Sequence, residues 1–325
     1  MGKKRIKHLG RKRRTKKITD GTYKIGILIS IIVGVATLIS ITKYIEEGYK
    51  GKNVSENTIQ FYIDMADDIG DKTVQISWQE LLAIDKVKYN NDLTSIKKKE
   101  VMDVGEKFIV KEKNKDGTKS YKVKRFDIVL DEIGFDKSQK SKANTYLKEL
   151  NNKSLGGANL KNQKEKIEFV KMVAKESKQN YYECGVLPSI TTAQAILESG
   201  WGQSSLTKNS NNVFGIKADK RWNGKKVEVS TSENYDDKIN AYFRVYDSIE
   251  ESIKDQGEFL VENKRYSEHG LFEANHYITQ AQALEDAGYS TKKNKNGEAV
   301  YADMLIDLIQ KYNLMLLDRE VQTIN

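Results

Sequence analysis

The chain has 325 residues, a formal net charge of +9, three histidines and one cysteine. Residues 1–24 hold eleven Lys/Arg and one acidic residue, and the rest of the chain carries 44 Lys/Arg against 45 Asp/Glu. The basic charge therefore belongs to a short tail, which argues against a nucleic-acid-binding domain. A single cysteine excludes an internal disulfide, and the apolar and aromatic residues around Cys184 favour packing over nucleophilic chemistry. So few His and Cys residues argue against a dedicated zinc site, and we expect no cofactor.

An uncharged segment of eighteen residues, Ile25 to Thr42, follows the basic tail. At about 1.5 Å per residue, a helix of this length nearly spans a hydrocarbon core of roughly 30 Å. The basic residues on its N-terminal side predict a cytoplasmic N-terminus that contacts anionic lipid headgroups. We therefore expect a cytoplasmic tail (1–24), a single-pass signal anchor in the cell membrane (25–42), and everything after about residue 43 outside. A cleaved signal peptide is the alternative, with a mature protein that begins near residue 45.

Residues 43–155 form a lysine-rich membrane-proximal region for which we expect an α/β structure. The segment Ser77–Glu80 fits a capping box that opens a helix. Residues 108–110 and 121–123 have the composition of two strands that pair around an Asp-Gly turn. No motif here carries chemistry, so spacer, substrate-positioning module and partner contact all stay open as roles. The Gly- and Asn-rich stretch 151–162 predicts a domain boundary.

Two helices are predicted after that boundary, and the second one ends at a glutamate. Apolar residues spaced for an amphipathic helix follow Lys164, and Pro188 suits the first turn of a buried helix that Gly200 would stop. Glu198 lies in the last turn, where burial and the helix dipole both raise the pKa of a carboxyl. A carboxyl that stays protonated near neutral pH can act as a general acid. From spacing alone, a partly exposed glutamate near a helix end is the more common case.

A series of ordered motifs surrounds Glu198: PSI at 188–190, AQA at 193–195, LESGWG at 197–202, NNVFGIK at 211–217, FRVYDS at 243–248 and AGYST at 287–291. Together they resemble the glucosaminidase family of bacterial autolysins, glycoside hydrolase family 73, over roughly residues 164–314. The resemblance implies a lysozyme-like α+β fold for a catalytic domain at 160–317. That fold is mostly helical, with a small β-hairpin lobe across a groove.

The resemblance also implies site residues. Glu198 would be the general acid, and Tyr289 would line the groove near the cleaved bond. The second acidic residue of the family would be Glu233 in the hairpin, although the turn after it is shorter than is usual in the family. Glu228 and Asp236 therefore stay as alternatives. The expected substrate-binding residues are Trp201, Asn212, Phe214, Gly215, Lys217 and Tyr301, of which Trp201 and Phe214 could equally be core residues.

The expected substrate is peptidoglycan. The resemblance implies cleavage of the β-1,4 bond between N-acetylglucosamine and N-acetylmuramic acid, with no metal and no organic cofactor. A general base acting on water and attack by the N-acetyl group of the substrate are both compatible with the sequence. A muramidase or lytic transglycosylase of the same fold, and an inactive wall-binding protein, are the alternatives. Expected partners are glycan strands and, through one helix, the cytoplasmic membrane; the oligomeric state stays open, and the composition favours a Gram-positive bacterium.

Overall fold

The computed structural model describes residues 54–113, 117, 119–151, 163–233 and 237–324. None of the helices in these ranges has the length and apolar character that a membrane crossing needs. The predicted membrane segment, residues 25–42, lies outside the described residues, as does the basic tail. Residues 56–325 group into one compact unit, so the accessory region and the predicted catalytic domain pack together.

The accessory part begins with two helices, α1 (Glu56–Gly70) and α2 (Trp78–Lys88). Helix α2 starts at the predicted capping box, because the Ser77 side chain accepts a hydrogen bond from the Glu80 backbone N–H at 3.2 Å. A short helix, α3 (Lys98–Gly105), leads into an antiparallel hairpin of β1 (Ile109–Lys113) and β2 (Lys119–Val123). Helices α4 (Phe126–Glu132) and α5 (Lys137–Asn151) complete this part. The predicted hairpin is confirmed, with Ile109 opposite Val123.

The C-terminal part is mostly helical. Helix α6 (Lys164–Cys184) ends at Gly185, which adopts a left-handed φ of 76°, and α7 (Pro188–Ser199) begins with the proline that the sequence analysis placed in its first turn. The remaining helices are α8 (Ser205–Ser210), α9 (Ile249–Glu262), α10 (Lys264–Glu268), α11 (Tyr277–Asp286), α12 (Tyr301–Tyr312) and α13 (Met315–Gln322).

A second antiparallel hairpin, β3 (Lys226–Glu233) and β4 (Asp237–Arg244), stands between α8 and α9. In the register of this hairpin, Glu233 at the end of β3 lies opposite Asp237 at the start of β4. A mostly helical α+β architecture with a small hairpin is thus confirmed for the described part of the chain.

Helix α7 is the centre of the C-terminal core. Every residue from Pro188 to Ile196 is buried, and the helix contacts α6, α11, α12 and α13. A helix that is buried on all sides is held by its whole circumference. Its C-terminal end is therefore held rigidly in place, and the exposed Glu198 lies in this last turn.

Candidate active site

The end of α7 is turned sharply by three consecutive residues in the left-handed region: Gly200 (φ 58°), Trp201 (φ 64°) and Gly202 (φ 73°). Such a conformation is costly for a residue with a side chain, so Trp201 is held there by its surroundings. The Ser199 side chain helps, because its Oγ accepts a hydrogen bond from the Gly202 N–H at 2.6 Å and donates one to the Ala195 carbonyl at 2.5 Å. The turn leads the chain away from Glu198 and leaves that side chain exposed.

The Glu198 carboxyl has a tyrosine as its hydrogen-bond partner. The Tyr301 hydroxyl, at the start of α12, donates to Glu198 Oε1 at 2.8 Å. The surrounding protein raises the pKa of Glu198, because desolvation disfavours the charged form; the Tyr301 hydrogen bond and the nearby Lys292 charge oppose this rise. The environment therefore shifts the equilibrium toward the neutral form of a carboxyl that solvent can reach. Such a group can donate its proton to a bound ligand.

Tyr289 lies beside the same carboxyl. Its ring stacks on that of Tyr301, with centroids 5.3 Å apart and an interplanar angle of 19°, and it lies 6.2 Å from the ring of Tyr266. Burial raises the pKa of Tyr289 well above its ordinary value, and the Glu198 charge acts in the same direction. A half-buried tyrosine in this setting is a neutral phenol that can hydrogen-bond a ligand and present an apolar ring face. Glu198, Tyr289 and Tyr301 are the three predicted site residues that the structure brings together.

Two other predicted site residues have structural contacts. Asn212 is fully buried, and its side chain donates to the backbone carbonyls of Ile216 and Arg244, both at 2.9 Å, so it ties the loop after α8 to strand β4. Trp201 packs edge-to-face on Tyr312 with centroids 4.9 Å apart. Through these contacts, both side chains help to hold the protein segments around the site in place.

The other predicted substrate-binding residues lie on the segment between α8 and the hairpin. Phe214 is buried, Gly215 adopts a φ of 65°, and Lys217 is exposed next to strand β4, where its backbone bridges Phe243. Their roles in binding stay predictions.

The second carboxylate stays a prediction as well. Glu233 is the last residue of β3, opposite Asp237 in the strand register, and its side chain lies outside what the structure describes. Glu228 is exposed and faces Tyr242 across the hairpin register. Asp236 lies outside the described residues. Within those residues, no group of three His, Cys, Asp or Glu side chains is arranged to hold a metal ion.

The structure adds two site residues that the sequence analysis missed. The Gln194 side chain donates from Nε2 to the Tyr301 hydroxyl at 3.1 Å, and it accepts at Oε1 from Gln256 Nε2 at 2.9 Å. Gln194 lies one turn before Glu198, so its i, i+4 spacing on a buried helix face was a usable signal. Gln256 lies on α9, and nothing local in the sequence marks it.

Part of the chain is similar in sequence to known proteins. The model of the Glucosaminidase family, described as mannosyl-glycoprotein endo-beta-N-acetylglucosaminidase, matches residues 174–314. The exo-glucosaminidase LytG of Bacillus subtilis (strain 168) is 36% identical over 154 residues, which are 45% of this chain and 51% of that protein. The peptidoglycan hydrolase FlgJ of Vibrio parahaemolyticus is 38% identical over 137 residues, which are 40% of this chain and 42% of FlgJ. This chain thus spans about half the length of the curated relatives it matches, or less.

A solved structure is similar too. The glycoside hydrolase domain from Salmonella typhimurium FlgJ is 35% identical, with 46% of this chain and 90% of that chain covered and a TM-score of 0.38. Residues 174–314, which the family model matches, contain Glu198, Gln194, Tyr289 and Tyr301.

Proposed function

Because the chain belongs, through residues 174–314, to the glucosaminidase family of glycoside hydrolases, we propose that it is a peptidoglycan hydrolase with Glu198 as its general acid. The observation that supports this most is the setting of the Glu198 carboxyl. It lies at the end of a buried helix, its pKa is raised by desolvation, and its partner is a tyrosine hydroxyl. A carboxylate bound to a cation would stay ionised and could not deliver a proton.

Cleavage of a glycosidic bond needs a proton on the leaving oxygen while positive charge develops on the sugar ring. Glu198 supplies that proton in our proposal. After the transfer, the Tyr301 hydroxyl stabilises the resulting carboxylate through its hydrogen bond. Tyr289 lies in reach of the same space and orients either the substrate N-acetyl group or the attacking water.

We propose the bond between N-acetylglucosamine and N-acetylmuramic acid as the one that is cut, with N-acetylglucosamine left at the reducing end. The family membership and the similarity to LytG, an exo-glucosaminidase, support this choice over a muramidase. The second step uses either Glu233 as a base on water or the substrate N-acetyl group. The Glu198, Tyr289 and Tyr301 cluster favours an active enzyme over an inactive wall-binding protein.

The proposed location is the outer face of the cytoplasmic membrane, with the enzyme anchored through residues 25–42. The support for it is the sequence: an uncharged segment of eighteen residues preceded by a basic tail. A reporter fused after residue 325 should therefore be active outside the cell, and a fusion that reports only from the cytoplasm would contradict the proposal.

Product analysis tests the function. The full chain is incubated with purified wall glycan and the fragments are examined by mass spectrometry, with Glu198→Gln as the test variant and Glu273→Gln, at an exposed position, as the matched control. We expect reducing N-acetylglucosamine ends from the wild type and the control, and almost none from Glu198→Gln. Reducing muramic ends would support a muramidase, and 1,6-anhydromuramic ends a transglycosylase. Cleavage by Glu198→Gln near the wild-type rate would remove Glu198 from the mechanism.

A further inference from the structure

Four side chains form a hydrogen-bonded series that ends on the proposed proton donor. Gln256 Nε2 donates to Gln194 Oε1 at 2.9 Å, Gln194 Nε2 donates to the Tyr301 hydroxyl at 3.1 Å, and that hydroxyl donates to Glu198 Oε1 at 2.8 Å. Both glutamines are 0% exposed and Tyr301 is 2% exposed. The series therefore runs from the core to the one member that solvent reaches.

The direction of the series follows from the number of protons. A tyrosine hydroxyl has one proton, and its oxygen already accepts from Gln194, so the proton points to the acceptor that remains. Among the described residues, that acceptor is Glu198 Oε1, which lies 2.8 Å from the Tyr301 hydroxyl oxygen. Oε1 is thereby occupied as an acceptor, and the acidic proton of a neutral Glu198 belongs on Oε2.

We infer that Gln194 and Gln256 are positioning residues. They fix the Tyr301 hydroxyl as a donor to Glu198 Oε1 and so leave Oε2 as the oxygen from which the proton is delivered. This inference rests on the proposed role of Glu198 as the general acid. It goes beyond the family comparison because both glutamines act through Tyr301 and touch no substrate.

The buried setting makes these bonds strong. Inside a protein, donation from Gln194 polarises the Tyr301 hydroxyl and makes it a better donor to the next group in the series. A better donor stabilises the Glu198 carboxylate and counteracts the rise in pKa that desolvation causes. The titratable groups that face Glu198 are Tyr301 from α12 and Tyr289 and Lys292 from the segment between α11 and α12. The two glutamines thus set how readily the acid gives up its proton and how stable the carboxylate is afterwards.

Replacement of the glutamines by methionine, which has a similar volume and no donor, tests the inference in the full chain. The first readout is the titration of the Glu198 carboxyl by ¹³C NMR in protein labelled at glutamate, assigned with Glu198→Gln. The second is the alkaline limb of the pH–rate profile on wall glycan. Tyr301→Phe should move both midpoints upward by about one pH unit, because an ionised acceptor loses its donor, and Gln194→Met should move them upward by about half a unit.

The decisive comparison is made in the Tyr301→Phe background. A residue that acts through Tyr301 has nothing left to act through, so Gln194→Met should add no further shift there. Gln256→Met should shift the midpoints in the same direction as Gln194→Met and by less, and it serves as the readout should Gln194→Met fail to fold. Gln310→Met, on the same helix as Tyr301 but bonded to Tyr277 instead, is the matched control and should leave both midpoints in place.

Three outcomes would overturn the inference: no shift in Gln194→Met or Gln256→Met, a downward shift, or an equal shift with and without the Tyr301 hydroxyl. A downward shift would show that Gln194 presents its oxygen to Tyr301 and draws the proton away from Glu198. The NMR titration is independent of catalysis. If the variants show the coupled shifts but the wild type does not cleave glycan, the proposed function is refuted and the positioning network is still supported.

Discussion

The buried ion pair between Glu80 and Arg319 joins the accessory region to the last helix of the chain, and we predict a large loss of stability when it is broken. Arg319 Nε and Nη2 donate to Glu80 Oε2 at 3.1 and 3.0 Å, and Nη2 also donates to the Lys124 carbonyl at 2.7 Å. The Arg319 side chain is 7% exposed and the Glu80 side chain is 12% exposed. Glu80→Gln keeps the shape and leaves the guanidinium buried without a counter-charge.

The magnitude follows from that burial. Removal of one partner of a buried pair costs about 3–5 kcal/mol, because an uncompensated charge stays in the interior. The Lys124 carbonyl still accepts from Arg319 in the variant, so we expect the lower end, about 3 kcal/mol. For a unit of this size, that corresponds to a fall in Tm of roughly 6–12 °C. Glu80→Met combined with Arg319→Met removes both charges, and this double variant should lie within about 1 kcal/mol of the wild type.

Urea denaturation followed by circular dichroism measures these differences. Asp247→Asn is the matched control, since it breaks the Lys225–Asp247 pair, in which both side chains are 73% exposed, and it should cost less than about 0.5 kcal/mol. The reasoning fails if Glu80→Gln is as mild as this control, or if the double variant is less stable than either single one. Either result would mean that water reaches the pair and that the contact between the two regions carries little energy.

Three further predictions concern α7 and its surroundings. Burial raises the pKa of Asp318 to about 7, so the folded protein binds this proton more tightly than the unfolded chain does. The stability that the bound proton contributes is present below about pH 4 and is lost as the pH rises toward 7. Asp318→Asn should remove this loss of stability between pH 4.5 and pH 8, as measured by denaturation curves at the two pH values. Gly202→Ala should cost about 2–4 kcal/mol, because a Cβ there would lie 2.8 Å from Phe169 at a left-handed φ. Gly200→Ala, whose Cβ meets open space, should cost only about 1 kcal/mol by the same assay. Finally, since desolvation raises the pKa of Glu198, glycan cleavage should persist above the pH at which an ordinary glutamate ionises, about 4.3, and initial rates that collapse at that pH would contradict the assignment.

Local signals in the sequence were enough for the elements that carry the site. Gly185 and Gly200 end their helices in the left-handed conformation that a glycine reaches most easily, and Pro188 begins the second helix. The first hairpin followed from the strand-like composition on both sides of an Asp-Gly turn, and the second from the family resemblance. Each of these features depends on a few neighbouring residues, which is why composition and spacing located them.

The contact between the accessory region and the catalytic domain could not be predicted in this way. Glu80 and Arg319 are 239 positions apart, and Gln322, whose Oε1 accepts from the Gln75 N–H at 2.7 Å, is 247 positions from its partner. Helix α13 (Met315–Gln322) continues past residue 317, where the sequence analysis ended the catalytic domain. A linker-like stretch at 151–162 indicated a boundary in the chain and said nothing about whether the two sides pack together.

The site likewise combines residues that local motifs predicted with contacts that only the fold creates. Motifs located Glu198, Tyr289 and Tyr301, and the fold brings them into contact. The motif that contains Trp201 did not show that its ring packs on Tyr312. Gln256 reaches the site from a different helix, and its role exists only once α9 packs on α6.

Helix α7 connects these observations. Its first turn is fixed because the Ser189 N–H donates to Asp318 of α13 at 2.8 Å, and the next residue of α13, Arg319, binds the accessory region through Glu80. Its last turn carries Glu198. Helix α7 is about 18 Å long at 1.5 Å per residue, so the accessory region secures the opposite end of the helix from the proton donor. Variants at the Glu80–Arg319 pair should therefore lower stability and leave the pH dependence of cleavage in place, whereas variants at Gln194 should shift that pH dependence.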